Sequence, residues 1–143
     1  MTDKNWSERS AIQTVGTTGT SAALVTDIID MASNGGFESV LFIGYQAASG
    51  SASNTGLKVQ VGTASGSLSD TTGDIPGTKT TLYADVYRPV ARFVRASLGA
   101  GSATVAYRTL TAMPYGARSL PTTHPASTTG FAVYTPGTGT ATG

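Results

Sequence analysis

The stretch Thr81–Tyr87, TLYADVY, decides the fold class because it alternates along its whole length between apolar side chains and larger or polar ones. Successive side chains of a β-strand point to opposite faces, so this pattern predicts a strand with one face in a core and one face outward. The predicted core-facing set is Leu82, Ala84 and Val86, and the opposite set is Tyr83, Asp85 and Tyr87.

Further strand patterns lie on both sides of this stretch. Ser39–Gln46 is a near-continuous apolar run, which predicts a central strand covered on both faces, and Leu57–Val61 alternates cleanly. Arg88-Pro89 ends the first strand, because proline cannot donate a hydrogen bond to a sheet. The remaining predictions are a hairpin of Arg92–Leu98 with Thr104–Met113 and strand signals in Ala23–Met31. Short additional strands are expected at Ala11–Val15 and Phe131–Tyr134, and an irregular segment at Ala64–Thr78.

Strands at this spacing, without any sustained helical periodicity, predict an all-β protein. We expect a single β-sandwich of jelly-roll type with about 6–8 strands. The domain is predicted at residues 22–120, with an extended N-terminal arm at residues 1–21 and a flexible Pro/Thr/Gly-rich C-terminal arm at residues 121–143.

The composition indicates a surface that is suited to being covered by a partner. Thr, Ala, Gly and Ser together make up 76 of the 143 residues, and charged residues are only 12%. A surface poor in Lys and Glu loses little side-chain entropy when another protein packs on it. Threonine on the outward face of strands favours the pleated backbone and keeps that face polar.

The net charge of +1 conceals an uneven distribution along the chain. Residues 1–87 carry all eight acids and four of the nine bases, whereas residues 88–143 carry five arginines and no acid. This asymmetry would suit like subunits that meet head to tail, or an acidic partner surface. The arginines are too dispersed to predict nucleic-acid binding.

No residue pattern predicts catalysis, a cofactor or a metal site, so we expect a protein that is not an enzyme. The chain has no cysteine, and its one histidine, His124, lies between prolines in the predicted arm. Asp27 and Asp30 would point to opposite faces of a strand, and Asp70 and Asp74 lack the spacing of a calcium loop.

Neither a membrane span nor a secretion signal is predicted. The longest apolar run, Val40–Tyr45, is far too short to cross a bilayer, and the polar start Met1–Trp6 lacks the apolar core of a signal peptide. We therefore expect a protein made in a cytoplasm that does not bind a membrane.

Aromatic and arginine side chains are the candidates for partner binding. Tyr83 and Tyr87 share a face with Asp85, which would suit a sugar; alternatively both tyrosines pack on the second sheet or on a neighbouring subunit. Arg92 and Arg95 are predicted to lie on opposite faces, so that one is core-facing and paired, with an acid such as Asp85 or with a partner chain, and the other lies at an interface.

Five segments in this order resemble the small head-decoration, or capsid cement, proteins of tailed bacteriophages. The resemblance spans about residues 22–120. The segments are Gly36–Ile43, Leu57–Val61, Val86–Pro89, Arg92–Arg95 and Pro114–Arg118.

The resemblance implies a virion structural protein on the outer surface of the capsid. Cement proteins bind the assembled head, commonly as homotrimers at symmetry axes, and bridge neighbouring major capsid proteins. Their family has no catalytic residues. The alternatives are a host- or carbohydrate-binding virion module and a tail or neck adaptor. The candidate partner-binding residues are Tyr83, Tyr87, Arg88, Arg92, Arg95 and Arg118.

Overall fold

The computed structural model is all-β in the part of the chain that it describes, which comprises residues 13–17, 23–32, 36–46, 56–71, 75–99 and 108–117. These residues contain no helix, and hence none long and apolar enough to span a membrane. The strands are β1 (Gln13–Thr17), β2 (Leu24–Val25), β3 (Ile29–Asp30), β4 (Ser39–Gln46), β5 (Leu57–Ala64), β6 (Ser67–Asp70), β7 (Thr81–Tyr87), β8 (Phe93–Leu98) and β9 (Arg108–Tyr115).

The strands form two antiparallel sheets. The first sheet has the order β1-β9-β4-β7, and the second has the order β2-β8-β5-β6, with β3 also paired to β8. The chain crosses repeatedly from one sheet to the other, as between β4 and β5, between β6 and β7, and between β8 and β9. Strands adjacent in sequence are therefore mostly opposite each other in space, on either side of a common core.

The core lies between the inward faces of the two sheets. Phe42 and Leu110 of the first sheet and Leu98 of the second are completely buried. Burying one such side chain contributes about 1.5–3 kcal/mol. The sheets approach each other closely beside Gly44, where a Cβ atom would stand 3.3 Å from a terminal methyl group of Leu98. A side chain at position 44 would require Leu98 to shift by a few tenths of an ångström.

One edge of the second sheet is interrupted at Thr26, which separates β2 from β3. The Thr26 backbone N–H donates to the Ala96 carbonyl at 3.0 Å, but the Ala96 N–H donates to the Thr26 hydroxyl at 3.1 Å. A side-chain oxygen thus takes the place of the backbone carbonyl that a regular ladder would offer. Asp27 and Ile28 are exposed where the chain leaves the ladder.

Most of the central strand predictions are confirmed. β4 and β7 have the predicted bounds, β4 lies between β9 and β7, and Tyr83, Asp85 and Tyr87 face outward. A strand also occurs in the predicted N-terminal arm, two residues later than expected, and it pairs with β9. The C-terminal arm at residues 121–143, with the short strand expected at Phe131–Tyr134, lies outside the described residues.

Two strand predictions are wrong. β8 and β9 do not form a hairpin, since they belong to different sheets; each has one apolar face, and packing these faces against each other buries both. The segment Ala64–Thr78 is not wholly irregular, because β6 pairs with β5 inside it. β6 gives almost no sequence signal, as its one large apolar residue is Leu68.

We predict that Thr26→Val lowers the free energy of unfolding by about 1–3 kcal/mol, because the Ala96 N–H would be buried without its acceptor. Chemical denaturation measures the effect. Thr26→Ser retains the hydroxyl and should stay close to the wild-type value; equal losses in both variants would contradict the assigned role of the hydroxyl.

Candidate functional site: the tyrosine face and the Arg88–Arg92 loop

The outer face of the first sheet carries exposed tyrosines beside half-buried aliphatic side chains. The alternation that sends Phe42 and Leu82 into the core sends their neighbours outward. The register places Ile43 beside Tyr83 and Leu41 between Asp85 and Met113. We call this surface the tyrosine face and define it as Leu41, Ile43, Tyr45, Tyr83, Asp85, Tyr87, Met113 and Tyr115.

Three tyrosines of this face are open to solvent. Tyr83 is 69% exposed, Tyr87 is 66% exposed and Tyr45 is 42% exposed. Exposed tyrosines that adjoin aliphatic side chains are typical of surfaces that proteins bind, because the ring supplies contact area and the hydroxyl supplies a hydrogen bond. The tyrosine face is therefore the leading candidate for an interaction surface.

A hydrogen bond across β4 fixes the fourth tyrosine. The Tyr115 hydroxyl donates to Asp85 Oδ1 at 2.7 Å, although the two residues lie on strands on opposite sides of β4. This bond to the carboxylate, together with burial, raises the pKa of Tyr115 above its usual value. Ser39 is completely buried in the same part of the sheet. Through this bond the carboxylate of Asp85, the only charged group of the tyrosine face, extends across β4 towards Tyr115.

The outer face of the second sheet is different, because its polar side chains satisfy one another. Arg95 Nε donates to Gln60 Oε1 at 2.6 Å, and Gln60 Nε2 donates in turn to Asp70 Oδ1. Lys58 Nζ lies 3.7 Å from the other oxygen of Asp70. These side chains form a network across β8, β5 and β6, so this face offers a partner few groups that are not already engaged.

The loop Arg88–Arg92 connects β7 to β8 and is held by contacts at its first residue. Arg88 has a positive φ of 46°, which is a strained conformation for a residue with a side chain. Its N–H donates to the Glu38 carbonyl at 3.0 Å, its guanidinium lies 3.6 Å from Glu38 Oε2, and the same group stands 5.3 Å from the centre of the Tyr87 ring. These contacts hold the strained turn in place.

The last residue of the loop is fixed by a two-point ion pair. Arg92 Nε and Nη2 each donate to one oxygen of Asp30 at 2.8 Å. The hydrogen bond from Arg92 lowers the pKa of Asp30, and the same bond raises the pKa of Arg92. Arg92 also stands 5.1 Å from the centre of the Phe93 ring.

A cleft of about 600 Å³ lies beside this loop. Val90 at the loop tip is fully exposed, while Met31 and Phe37 form a buried apolar wall. The cleft combines this apolar wall with charged side chains, and those side chains are paired with each other or with Asp30. Its lining residues are Met31, Ala32, Phe37, Glu38 and Arg88–Arg92.

A second group of buried polar residues lies where β4 and β9 pair at Gln46 and Arg108. Gln46 Nε2 donates to the carbonyls of Gly77 and Lys79 at 3.0 and 2.9 Å, and Arg108 Nη1 donates to the Gly99 carbonyl at 3.0 Å. Burial lowers the pKa of Arg108. Both side chains hold loop carbonyls, which is a structural role. The described residues include no group of acidic or histidine side chains that could hold a metal ion.

The structure brings together four of the six predicted partner-binding residues. Tyr83 and Tyr87 lie on β7 at the edge of the tyrosine face, Arg88 begins the adjoining loop and contacts the Tyr87 ring, and Arg92 ends that loop. Arg95 lies apart, on the outer face of the second sheet, and Arg118 lies outside the described residues.

The prediction of a core-facing arginine paired with Asp85 is wrong. Arg92 precedes β8 and pairs with Asp30, Arg95 faces outward, and Asp85 belongs to the other sheet, where it binds Tyr115. The alternative in which Tyr83 and Tyr87 pack on the second sheet is also wrong, because both rings are exposed.

Sequence reasoning missed the apolar members of the tyrosine face. Ser39–Gln46 was expected to be covered on both sides, but Leu41 and Ile43 are only half-buried on the outer side and Tyr45 is exposed. The available signal was the continuity of that apolar run, which supplies more apolar side chains than a one-sided strand needs.

Comparison with known proteins identifies no family. The chain matches no family model, and no curated protein sequence matches it. A solved structure described under "Bacillus endospore appendages form a novel family of disulfide-linked pili" resembles it with 9% sequence identity and a TM-score of 0.38, over 80% of this chain and 96% of that chain. This likeness is too low to support an inference about function.

We predict that Arg92→Gln raises the pKa of Asp30 towards its ordinary value of 3.8. In the wild type the folded-state pKa lies below the unfolded value, so the ion pair stabilises the fold above the unfolded pKa and this contribution is lost as the pH falls through the folded pKa. NMR titration of the Asp30 carboxyl carbon measures the change. Arg95→Gln is the matched control and should leave Asp30 unaffected; equal shifts in both variants would refute the pairing.

Proposed function

We propose that this chain is a non-catalytic structural protein of a phage virion, a capsid decoration protein that binds the outer surface of the assembled head and bridges major capsid protein subunits. The observation that carries the proposal is the tyrosine face, in which Tyr83, Tyr87 and Tyr45 stand exposed beside Ile43 and Leu41. The resemblance of residues 22–120 to cement proteins supplies the class of partner.

The two outer faces differ in the way that such a role requires. Aromatic residues are enriched and Lys and Glu are depleted in the buried centre of protein interfaces. The tyrosine face has this composition, with Asp85 already hydrogen-bonded to Tyr115. The outer face of the second sheet, with its Arg95–Gln60–Asp70 network, is suited to face solvent. We therefore propose the first sheet as the side that meets the capsid.

Decoration would stabilise the particle by mass action. A module that binds the expanded shell but not its separated subunits shifts the equilibrium towards the shell in proportion to occupancy. Weak contacts from each copy of a homo-oligomer add as avidity, which favours a trimer or another symmetric assembly on the shell. No chemical step is needed for this function.

The finer assignment of the fold is part of the proposal. The orders β1-β9-β4-β7 and β2-β8-β5-β6, in which most successive strands lie on opposite sheets, support a jelly roll, in which eight strands are divided between two sheets by Greek-key connections. In this assignment β2 and β3 count as one strand that is interrupted at Thr26.

A carbohydrate-binding virion module is the second candidate. Tyr83 and Tyr87 flank Asp85 on one exposed face, and sugars stack on aromatic rings beside hydrogen-bonding groups. The proposed protein interface predicts no saturable binding on a glycan array. Saturable binding that Tyr83→Ala abolishes would instead favour the carbohydrate-binding candidate.

We predict that Tyr83→Ala/Tyr87→Ala weakens capsid binding by at least about tenfold, since truncating aromatic residues that anchor an interface costs about 1–2 kcal/mol or more. Particles assembled with this variant should lose the bound protein and their heat resistance together. Lys58→Ala, on the outer face of the second sheet, is the control and should leave both unchanged. Undiminished heat resistance of particles without the protein would refute the cement role.

Copy number distinguishes decoration from a tail or neck adaptor. Decoration of a shell predicts hundreds of copies per virion, because the sites repeat with the capsid lattice. An adaptor would be present in at most about a dozen copies, as set by a ring of cyclic symmetry. Densitometry of a gel of purified virions, with the major capsid protein as the internal standard, measures this number.

A further inference from the structure

β7 is an edge strand whose backbone polar groups on one side have no partner within the described part of the chain. It pairs with β4 on its other side. The Gln46 N–H donates to the Thr80 carbonyl, and the Arg88 N–H donates to the Glu38 carbonyl, so the backbone groups of residues 80 and 88 point towards β4. In an antiparallel ladder the N–H and C=O of one residue point the same way, and the direction alternates along the strand.

The alternation assigns each residue of β7 to one side. Leu82, Ala84 and Val86 direct their backbone groups to β4. The free edge therefore carries four N–H and four C=O groups, which belong to the residues whose side chains form the outer face: Thr81, Tyr83, Asp85 and Tyr87.

β7 also lacks the features that protect edge strands from pairing with other chains. Natural edges are kept short, bulged, interrupted by proline or marked with outward charges. β6 is short, and its register with β5 shifts between Val61 and Ala64. The β2–β3 edge is broken at Thr26. β7 is seven regular residues without proline, glycine or lysine, and its single charge, Asp85, is drawn back across β4 by Tyr115.

We propose that β7 pairs with β7 of a second copy of this chain, antiparallel about a two-fold axis at Ala84. In this register Thr81 lies opposite Tyr87 of the other copy, and Tyr83 lies opposite Asp85. All four of these positions direct their backbone groups to the free edge, so the four pairs form eight hydrogen bonds and use every open group of both strands. Because both copies contribute the same strand, the contact is isologous and gives a closed dimer.

Neighbouring registers fit less well. Moving the axis to Asp85 would set two carboxylates directly opposite each other, which is unfavourable, and would leave Thr81 unpaired. Moving the axis to Tyr83 would leave Tyr87 unpaired. The axis at Ala84 also sets the smallest side chain of the strand at the central position, where the pair is not hydrogen-bonded and the Cα atoms approach to about 4.5 Å.

The pairing joins two copies of the first sheet into one sheet with a shared outer face. Tyr83 and Tyr87 of both copies would then lie on either side of the axis, so the exposed tyrosines form one surface rather than two. This inference goes beyond the proposed capsid role and does not depend on it, because the second copy is recognised by backbone groups of β7 and not by the tyrosine face.

Cysteine cross-linking tests the register directly, because the chain has no cysteine of its own. In Ala84→Cys the two thiols would face each other at a Cα separation within the range of roughly 4.4–6.8 Å that a disulfide spans. We expect mild oxidation of the full chain to give covalent dimers in high yield. Val90→Cys is the control, since position 90 is far more exposed and would cross-link only through random collision.

Amide hydrogen exchange of the unmodified chain provides a second measurement that does not depend on a variant. The amides of Leu82, Ala84 and Val86 should be protected at every protein concentration by β4. The amides of Tyr83 and Asp85 should exchange at least about tenfold more slowly at high concentration than at low concentration, because only the pairing protects them. Sedimentation over the same concentrations should show a dimer.

Each alternative outcome would overturn the pairing. Protection of Tyr83 and Asp85 that does not vary while the chain remains monomeric would place another segment of the same chain on this edge. A trimer would show that β7 meets a different surface of its neighbour. Cross-linking of Ala84→Cys no faster than that of Val90→Cys would exclude the axis. Failure of the unmodified dimer to bind capsids would refute the proposed function and leave the pairing intact.

Discussion

The close approach of the two sheets beside Gly44 is the contact on which the rest of the structure depends. A Cβ atom there would already be tight against Leu98, and on either side of this point Phe42 and Leu110 fill the space between the sheets. Because side chains alternate with a period of two, burying this face commits the intervening residues of β4, β7 and β9 to the outside. A slip of one residue in β7 or β9 would exchange Leu82 or Leu110 for a tyrosine or a threonine in the core. The tyrosine face is thus fixed by the same packing that fixes the fold.

The packing of the core does not determine which residue types occupy the outer faces of the two sheets. Both are formed by strands whose inner residues are apolar, yet one carries Tyr83 and Ile43 and the other carries Arg95 and Gln60. Folding alone favours a polar outer face, because apolar side chains that remain exposed to water contribute no burial energy. The second sheet follows this preference where β8, β5 and β6 meet, since Gln60 connects an arginine to a carboxylate there, although Val25 of β2 is exposed. The first sheet departs from it, and the departure is concentrated on β4 and β7, which is where an interaction with another protein would recover the cost.

The sequence predicts the parts of this fold that follow from local alternation. β4 and β7 have the expected bounds, and the inward and outward sets of β7 are as predicted. Contacts between distant segments could not be predicted in this way. The Arg92–Asp30 pair joins residues 62 positions apart, and its partner acid differs from the one expected. The assignment of β8 and β9 to different sheets was missed because a short connection between two apolar strands predicts a hairpin equally well. The membership of Tyr45 and Met113 in the tyrosine face depends on the register of β4 with β9, which alternation alone does not set.

The strained residue Arg88 connects the loop to the strand edge. A residue at positive φ turns the chain sharply, and here the turn ends β7 immediately after Tyr87 and sends the chain across to the second sheet. The conformation costs about 1–3 kcal/mol, so contacts with Glu38 and Tyr87 have to hold it. A glycine or asparagine would adopt the turn with less strain but would lose both of these side-chain contacts. Keeping arginine at this position therefore couples three features that the sequence presents separately: the abrupt end of β7, the orientation of the exposed Tyr87 ring, and the position of the loop whose far end is fixed by Arg92 and Asp30. Relaxing the turn would alter all three together.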